Sequence, residues 1–220
     1  MEKINVIAAP GPVCYPLIAS RDERFNITFQ KDGDAPVILD SSVSMARRGI
    51  SPNISLIRGL VVASPDLGKK IGIMRRGSSS EILVRAILHL RNEEAEIVAL
   101  EDASSIEKMM AGGIIDSAVI PAPFGNGKSL ESIMESHGIS TPGSCVAKVD
   151  ASVKEAFAEA YRNGIEKMRA DPDGTAKYIA GVLPNKTDPK FIMKAILETD
   201  TSVRETVGHR EFEELVRRFS

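Results

Sequence analysis

Lys-Ile-Gly-Ile-Met at Lys70–Met74, Arg-Arg-Gly-Ser-Ser-Ser at Arg75–Ser80 and Glu-Ile-Leu-Val-Arg-Ala-Ile-Leu-His-Leu at Glu81–Leu90 decide how the chain is read. The first is an apolar run of strand length. The second is a polar loop, and in the third Ile82, Leu83, Ala86, Ile87 and Leu90 recur at helical spacing. Ser78 and Glu81 stand at capping-box spacing, so the loop feeds directly into a helix N-terminus. Downstream, Glu96–Leu100 predicts a strand, Ser104–Glu107 a helix cap, Gly112-Gly113 the end of that helix and Ile114–Pro121 a third strand. The order is β-α-β-α-β. A helix over Ser129–Ser136 stops at Gly138, Thr141–Ser144 breaks the chain, and Cys145–Val149 predicts a short strand.

Upstream of this segment the chain reads as strand-rich. Ile4–Ala9 ends at Pro10-Gly11-Pro12, and Val13–Ser20 predicts a short helix that tolerates Pro16 only in its first turn. Phe25–Gln30, Pro36–Leu39 and Ser55–Ala63 predict three further strands, with a turn at Asp32-Gly33-Asp34. After Asp150 the pattern is helical. Ser152–Glu155 has capping spacing ahead of Val153, Phe157, Ala160, Tyr161, Ile165 and Met168 on one stripe. Asp171-Pro172 and Asp188-Pro189 each put an N-cap before a proline, and Arg210–Phe219 places Phe212, Leu215, Val216 and Phe219 on one face.

Composition narrows the function. The 220 residues, 43% hydrophobic and 26% charged, fit one large domain or two small ones with a real core. A formal charge of −2 lacks the basic excess of phosphate-backbone binders, and with 5% aromatics and no Trp a base-stacking platform is disfavoured, so no nucleic acid partner is expected. Apolar runs are too short for a membrane span. As written the chain carries no export signal, which predicts a cytoplasmic location; an extracytoplasmic one follows if a signal segment precedes Met1. Cys14 and Cys145 are too few for a disulfide framework or a metal knuckle, and buried structural thiols are the default. His89, His137 and His209 share no spacing with acidic or cysteine partners, so neither a metal site, a cofactor nor a catalytic residue is expected.

The phrases Gly68–Met74, Arg75–Ser79, Ala111–Val119 with Gly112, Gly113 and Asp116, and Pro121–Phe124, in this order and spacing, resemble the solute-binding proteins of ABC transporters for nitrate, sulfonates and thiamine precursors. The likeness is clearest over Pro65–Phe124 and extends to Ile4–Leu17. The chain also resembles a small uncharacterised family akin to solute-binding lipoproteins. The resemblance implies an α/β, two-lobed fold of the type 2 periplasmic-binding-protein kind with a helical C-terminal tail. Its first lobe is reduced, since Asp32–Asp34 stands where the family has a helix. Lobe 1 would comprise residues 1–65 plus 146–220 and lobe 2 residues 66–145. It further implies a small-molecule ligand and an ABC transporter permease as partner.

Each candidate site has a bland alternative. Arg76, Gly77, Ser78 and Ser79 would meet an anion with helix-terminal N–H groups and hydroxyls, against an ordinary N-cap with solvated arginines. Gly11, Pro12 and Val13 follow a strand's carboxyl end, where α/β proteins bind ligands, against a rigid turn. Pro123 and Phe124 border the cleft if the resemblance holds. Asp40-Ser41-Ser42 reads better as a helix cap ahead of Val43–Arg47. Ala122–Ser129 fits a relaxed phosphate-loop pattern, but Pro123 lacks an N–H and Ala122 replaces the first glycine, so a Gly-rich turn into a helix is the better reading. Glu101-Asp102 reads as solvated carboxylates. The expected function is reversible binding of a small anionic solute in an interlobe cleft. The alternative is a signal-less enzyme or sensor on the same fold, of the kind acting in menaquinone or thiamine-precursor biosynthesis, with Cys14 as the nucleophile nearest a cleft loop.

Overall fold

The short apolar runs of the N-terminal quarter become buried strands, as their β-branched content requires. In the computed structural model, which describes residues 3–99 and 105–220, β1 is Ile4–Ala8, α1 Tyr15–Ser20, β2 Phe25–Phe29, β3 Val37–Ser41, α2 Ser42–Arg47 and β4 Ile54–Arg58. A 3-10 turn at Pro12–Cys14 precedes α1, which accepts Pro16 near its start and ends at left-handed Arg21. The run Ser55–Ala63, expected as one strand, is two. Gly59 (φ +72°) turns the chain, and β5 (Val61–Ser64) joins a different sheet.

Then follow β6 (Lys70–Ile73), α3 (Ser79–Arg91), β7 (Glu96–Ala99), α4 (Ile106–Ala111), β8 (Ser117–Pro121), β9 (Lys128–Ser129) and α5 (Leu130–Ser136). The β-α-β-α-β order is present. β8 starts three residues later than expected, because Asp116 accepts the Lys69 and Lys70 backbone N–H groups beside β6 at 2.9 and 3.1 Å. The chain returns through β10 (Cys145–Val149), α6 (Lys154–Ala170), α7 (Pro172–Val182), α8 (Pro189–Leu197), β11 (Asp200–Glu205) and α9 (Arg210–Phe219). Asp171 and Asp188 cap α7 and α8 as expected, whereas Ser152 lies in a 3-10 turn ahead of α6 and does not cap it.

Contacts divide the chain into Met1–Arg58 with Pro142–Gly208, and Gly59–Thr141 with His209–Ser220. The first unit holds a sheet ordered β11-β4-β10-β3-β1-β2, with β1 parallel to β2 and β3 and with β10 antiparallel to β3 and β4. No helix intervenes between β2 and β3, as the reduced loop predicts. Buried Val6, Ala8, Val37, Leu39, Ile57 and Val146 fill the strands, and Phe157, Tyr161, Ile165 and Met168 of α6 form the expected apolar stripe.

The second unit holds a sheet ordered β7-β6-β8-β5-β9, with β6 parallel to both β7 and β8. Val62, Ile106, Ile115, Ala118 and Ile120 form one of its cores. The tail, expected as a helical layer completing the first lobe, departs in two ways. Asp200–Glu205 is a strand, and α9 packs in the second unit. There Phe212 and Val216 are buried, the Phe219 ring lies 5.4 Å from that of His89 on α3, and Arg218 and His89 share a 2.9 Å hydrogen bond. No helix among the described residues is long and apolar enough to cross a membrane.

Candidate functional site

Parallel strands deliver their following loops to one edge of a sheet, so each unit gathers its candidate residues at a carboxyl edge. In the second unit β6 leads into Arg75–Ser80, and its neighbour β8 leads into a 3-10 turn at Ala122–Phe124. The structure therefore brings Arg76, Gly77, Ser78 and Ser79 to the same edge as Pro123 and Phe124. Pro123 is buried, and Phe124 is 55% exposed. Gly11, Pro12 and Val13 belong to the other unit.

The α3 N-terminus is closed by the chain's own carboxylate. Ser78 is the N-cap, and its hydroxyl oxygen accepts from the Glu81 N–H at 3.3 Å. Glu81, 6% exposed, accepts from the Gly77 N–H at 2.7 Å and from Arg85 at 2.6 and 3.0 Å. Burial pushes the Glu81 carboxyl up, but Arg85, the Gly77 N–H and Arg76 together outweigh it and hold the group below the usual carboxylate range. Arg76 reaches Glu81 at 3.4 Å and donates to the Ile97 carbonyl at 2.5 Å. The Gly77 N–H and the Ser78 cap, expected to meet an anion, are thus engaged by Glu81.

In the first unit β1 delivers Gly11–Val13 and β3 delivers Ser41-Ser42. The Ala9 N–H donates to Leu39 O at 2.9 Å, which holds the two strand ends together. The loop is stapled from behind: Tyr161 of α6 donates its phenol to Val13 O at 3.0 Å, and the Cys14 thiol donates to Gly11 O at 3.1 Å. Burial pushes the Cys14 thiol up to about 12, so it is protonated at neutral pH and a poor nucleophile. Asp40, buried at the end of β3, accepts from the Ser41 N–H at 2.7 Å, the Ser44 hydroxyl at 2.6 Å and Arg48 at 2.9 Å. Ser41 caps α2, as the sequence suggests, with its hydroxyl accepting from the Ser44 N–H at 3.1 Å.

Two side chains at this edge stand out for what they do not bond. Tyr15 is 1% exposed and Ser42 is 4% exposed. Neither hydroxyl hydrogen-bonds to any described residue. Burial, with the Cys14 and Cys145 thiols nearby pushing the same way, raises the Tyr15 phenol well above its ordinary value. Sequence reasoning passed over Tyr15, because nothing local distinguishes a core tyrosine from an unpartnered one.

The remaining candidates resolve into structure. Lys128 lies in β9 and pairs with Asp66 at 3.6 Å, and a Cβ on Gly127 would fall 1.8 Å from Ala63 O. Close strand packing accounts for that glycine and removes the need for a phosphate loop. Cys14 and Cys145 are buried and not disulfide-linked, His209 shares a hydrogen bond with Ser140 at 3.2 Å, and no metal-binding group occurs among the described residues. Glu101-Asp102 lies outside the described residues. A hollow of about 700 Å³ in the first unit, lined by Lys154, Arg162, Arg204 and Glu205 among others, sits where β4 begins and β11 ends, at the opposite edge from Gly11–Val13.

The family DUF3834, described as a protein of unknown function, matches residues 1–202. No curated protein matches the sequence. Among solved structures, a Thermoplasma volcanium protein assigned to nitrate transport is 21% identical, with a TM-score of 0.73 over 98% of this chain and 91% of that one. An ABC transporter protein from Parabacteroides distasonis is 14% identical, with a TM-score of 0.65 over 100% and 94%. The alkanesulfonate-binding protein SsuA from Xanthomonas axonopodis pv. citri, bound to MOPS, is 13% identical, with a TM-score of 0.50 over 98% and 90%. The α/β fold is that of these three structures.

Proposed function

The chain belongs to the DUF3834 family, and from that premise we propose that it reversibly binds a small solute, as the binding component of an ABC-type import system does. The observation that supports this reading most is the fold likeness over nearly the whole chain to a protein assigned to nitrate transport. The finer part of the proposal is that the solute bears an oxyanion, of the nitrate or sulfonate kind, and contacts Gly11–Val13. A permease is the partner this reading requires. The buried, protonated Cys14 lends no support to a covalent reaction.

Thermal unfolding of the purified chain with nitrate, MOPS, methanesulfonate, phosphate and Mg²⁺–ATP tests it. A bound solute at 100 times its Kd adds about 2.7 kcal/mol to stability, a readily measured rise in Tm. A rise with an oxyanion supports the proposal. A rise with Mg²⁺–ATP alone, or with none of the probes, overturns it.

A further inference from the structure

Buried hydroxyls in native proteins are nearly always hydrogen-bonded, because leaving one unmade forfeits the water it gave up. The first unit follows this rule closely around its carboxyl edge. Tyr161 bonds Val13, Ser20 bonds Leu17, the Ser41 hydroxyl accepts from the Ser44 N–H, and Asp40 accepts from the Ser44 hydroxyl and from Arg48. Tyr15, at the start of α1, and Ser42, at the start of α2, break the rule in the elements that follow neighbouring strands β1 and β3, as does Ser55 within β4. Among the described residues the one unpartnered side-chain nitrogen or oxygen sealed from solvent is Nε of Arg48. The Tyr15 and Ser42 hydroxyls therefore keep a residual contact with solvent although their residues are almost wholly buried.

We propose that the Tyr15 and Ser42 hydroxyls are the first unit's hydrogen-bond donors to the solute, so that the group seated there is an oxygen acceptor recognised by hydrogen bonds and not by a salt bridge. This rests on the solute-binding reading and deepens it. Two neutral donors at the starts of the helices that follow adjacent strands suit the oxygens of a sulfonate, a nitrate or a carboxylate. The nearby buried charges do not compete, since Asp40 and Arg48 pair at 2.9 Å. A phenol whose ionisation is suppressed by burial stays a donor across the physiological range.

The test compares wild type, Tyr15→Phe and Ser42→Ala in titrations with nitrate, MOPS and methanesulfonate, alongside the Tm of each ligand-free protein. Each variant is expected to weaken binding of the probe that stabilises wild type about five- to tenfold, the range of one net hydrogen bond. The ligand-free Tm of Tyr15→Phe is expected to equal or exceed that of wild type, since an unmade bond is removed. A probe that binds wild type and both variants equally overturns this inference and leaves the solute-binding reading standing. A lowered ligand-free Tm in Tyr15→Phe also overturns it, by showing that the hydroxyl is bonded within the protein. Failure of every probe on wild type overturns the solute-binding reading and this inference with it.

Discussion

The carboxyl edges of the two sheets are built alike and finished differently. In each unit two neighbouring parallel strands bring loops together, and in each a short polar stretch opens a helix. The second unit closes that stretch with its own charge, because Glu81 takes the Gly77 N–H and two arginines. The first unit braces its loop from behind through Tyr161 and leaves Tyr15 and Ser42 without partners. The same topology thus supplies a self-satisfied edge and an open one. Which residues are free to bind depends on the side chains that the local structure has already used.

The largest expected effect breaks the closed edge. Glu81→Ala removes a buried carboxylate and leaves the Gly77 N–H and both arginines without it, for a loss of about 2–3 kcal/mol. The loss is read as a lower urea midpoint with an unchanged m-value. The pH dependence has a definite sign. The folded Glu81 carboxyl titrates below its unfolded value, so its contribution is complete above about pH 4.3 and disappears as pH falls through the folded value. Wild type should therefore lose stability more steeply than Glu81→Gln between pH 5 and pH 2. Parallel curves would show that Glu81 is not held as described.

The brace of the open edge comes next. Tyr161 is fully buried and its phenol meets Val13 O at 3.0 Å, so Tyr161→Phe strands a carbonyl and should cost about 1–2 kcal/mol. The matching change at Tyr15 strands nothing. Equal Tm losses in the two phenylalanine variants would erase the distinction between a bracing tyrosine and an open one.

Much of this contrast could not be read from the sequence. Cys145–Val149 was legible to the residue because Thr141–Ser144 and Asp150 bracket it with breakers. The capping spacing Ser78–Glu81 was legible too, but it gives the main-chain bond and not the fate of the carboxylate, which depends on Arg85 one turn on and on the folded loop at Gly77. Ser55–Ala63 reads as one strand because its apolar run continues, and only the left-handed turn at Gly59 splits it between sheets. Asp200–Glu205 hides among helices because it is a sheet-edge strand carrying charged residues, with β4 as its one neighbour. The apolar face of α9 was plain, but a single face does not name its partner, and His89 with Phe219 decides that contact in the second unit. Tyr15 marks the limit, since the absence of a hydrogen bond has no sequence signature.

The smallest expected effect sharpens the comparison most. Arg76 is 56% exposed in its side chain and stands 3.4 Å from Glu81, a geometry in which ion pairs contribute little. Arg76→Ala should cost no more than about 0.5 kcal/mol of stability. Its charge is already committed to Glu81 and its other nitrogen to the Ile97 carbonyl. If the second edge is closed in this way, Arg76→Ala leaves the affinity for nitrate or MOPS within about twofold of wild type, while Tyr15→Phe does not. A tenfold loss on removing Arg76 would mean that its guanidinium serves the solute as well as Glu81. The two edges would then differ in charge and not in openness.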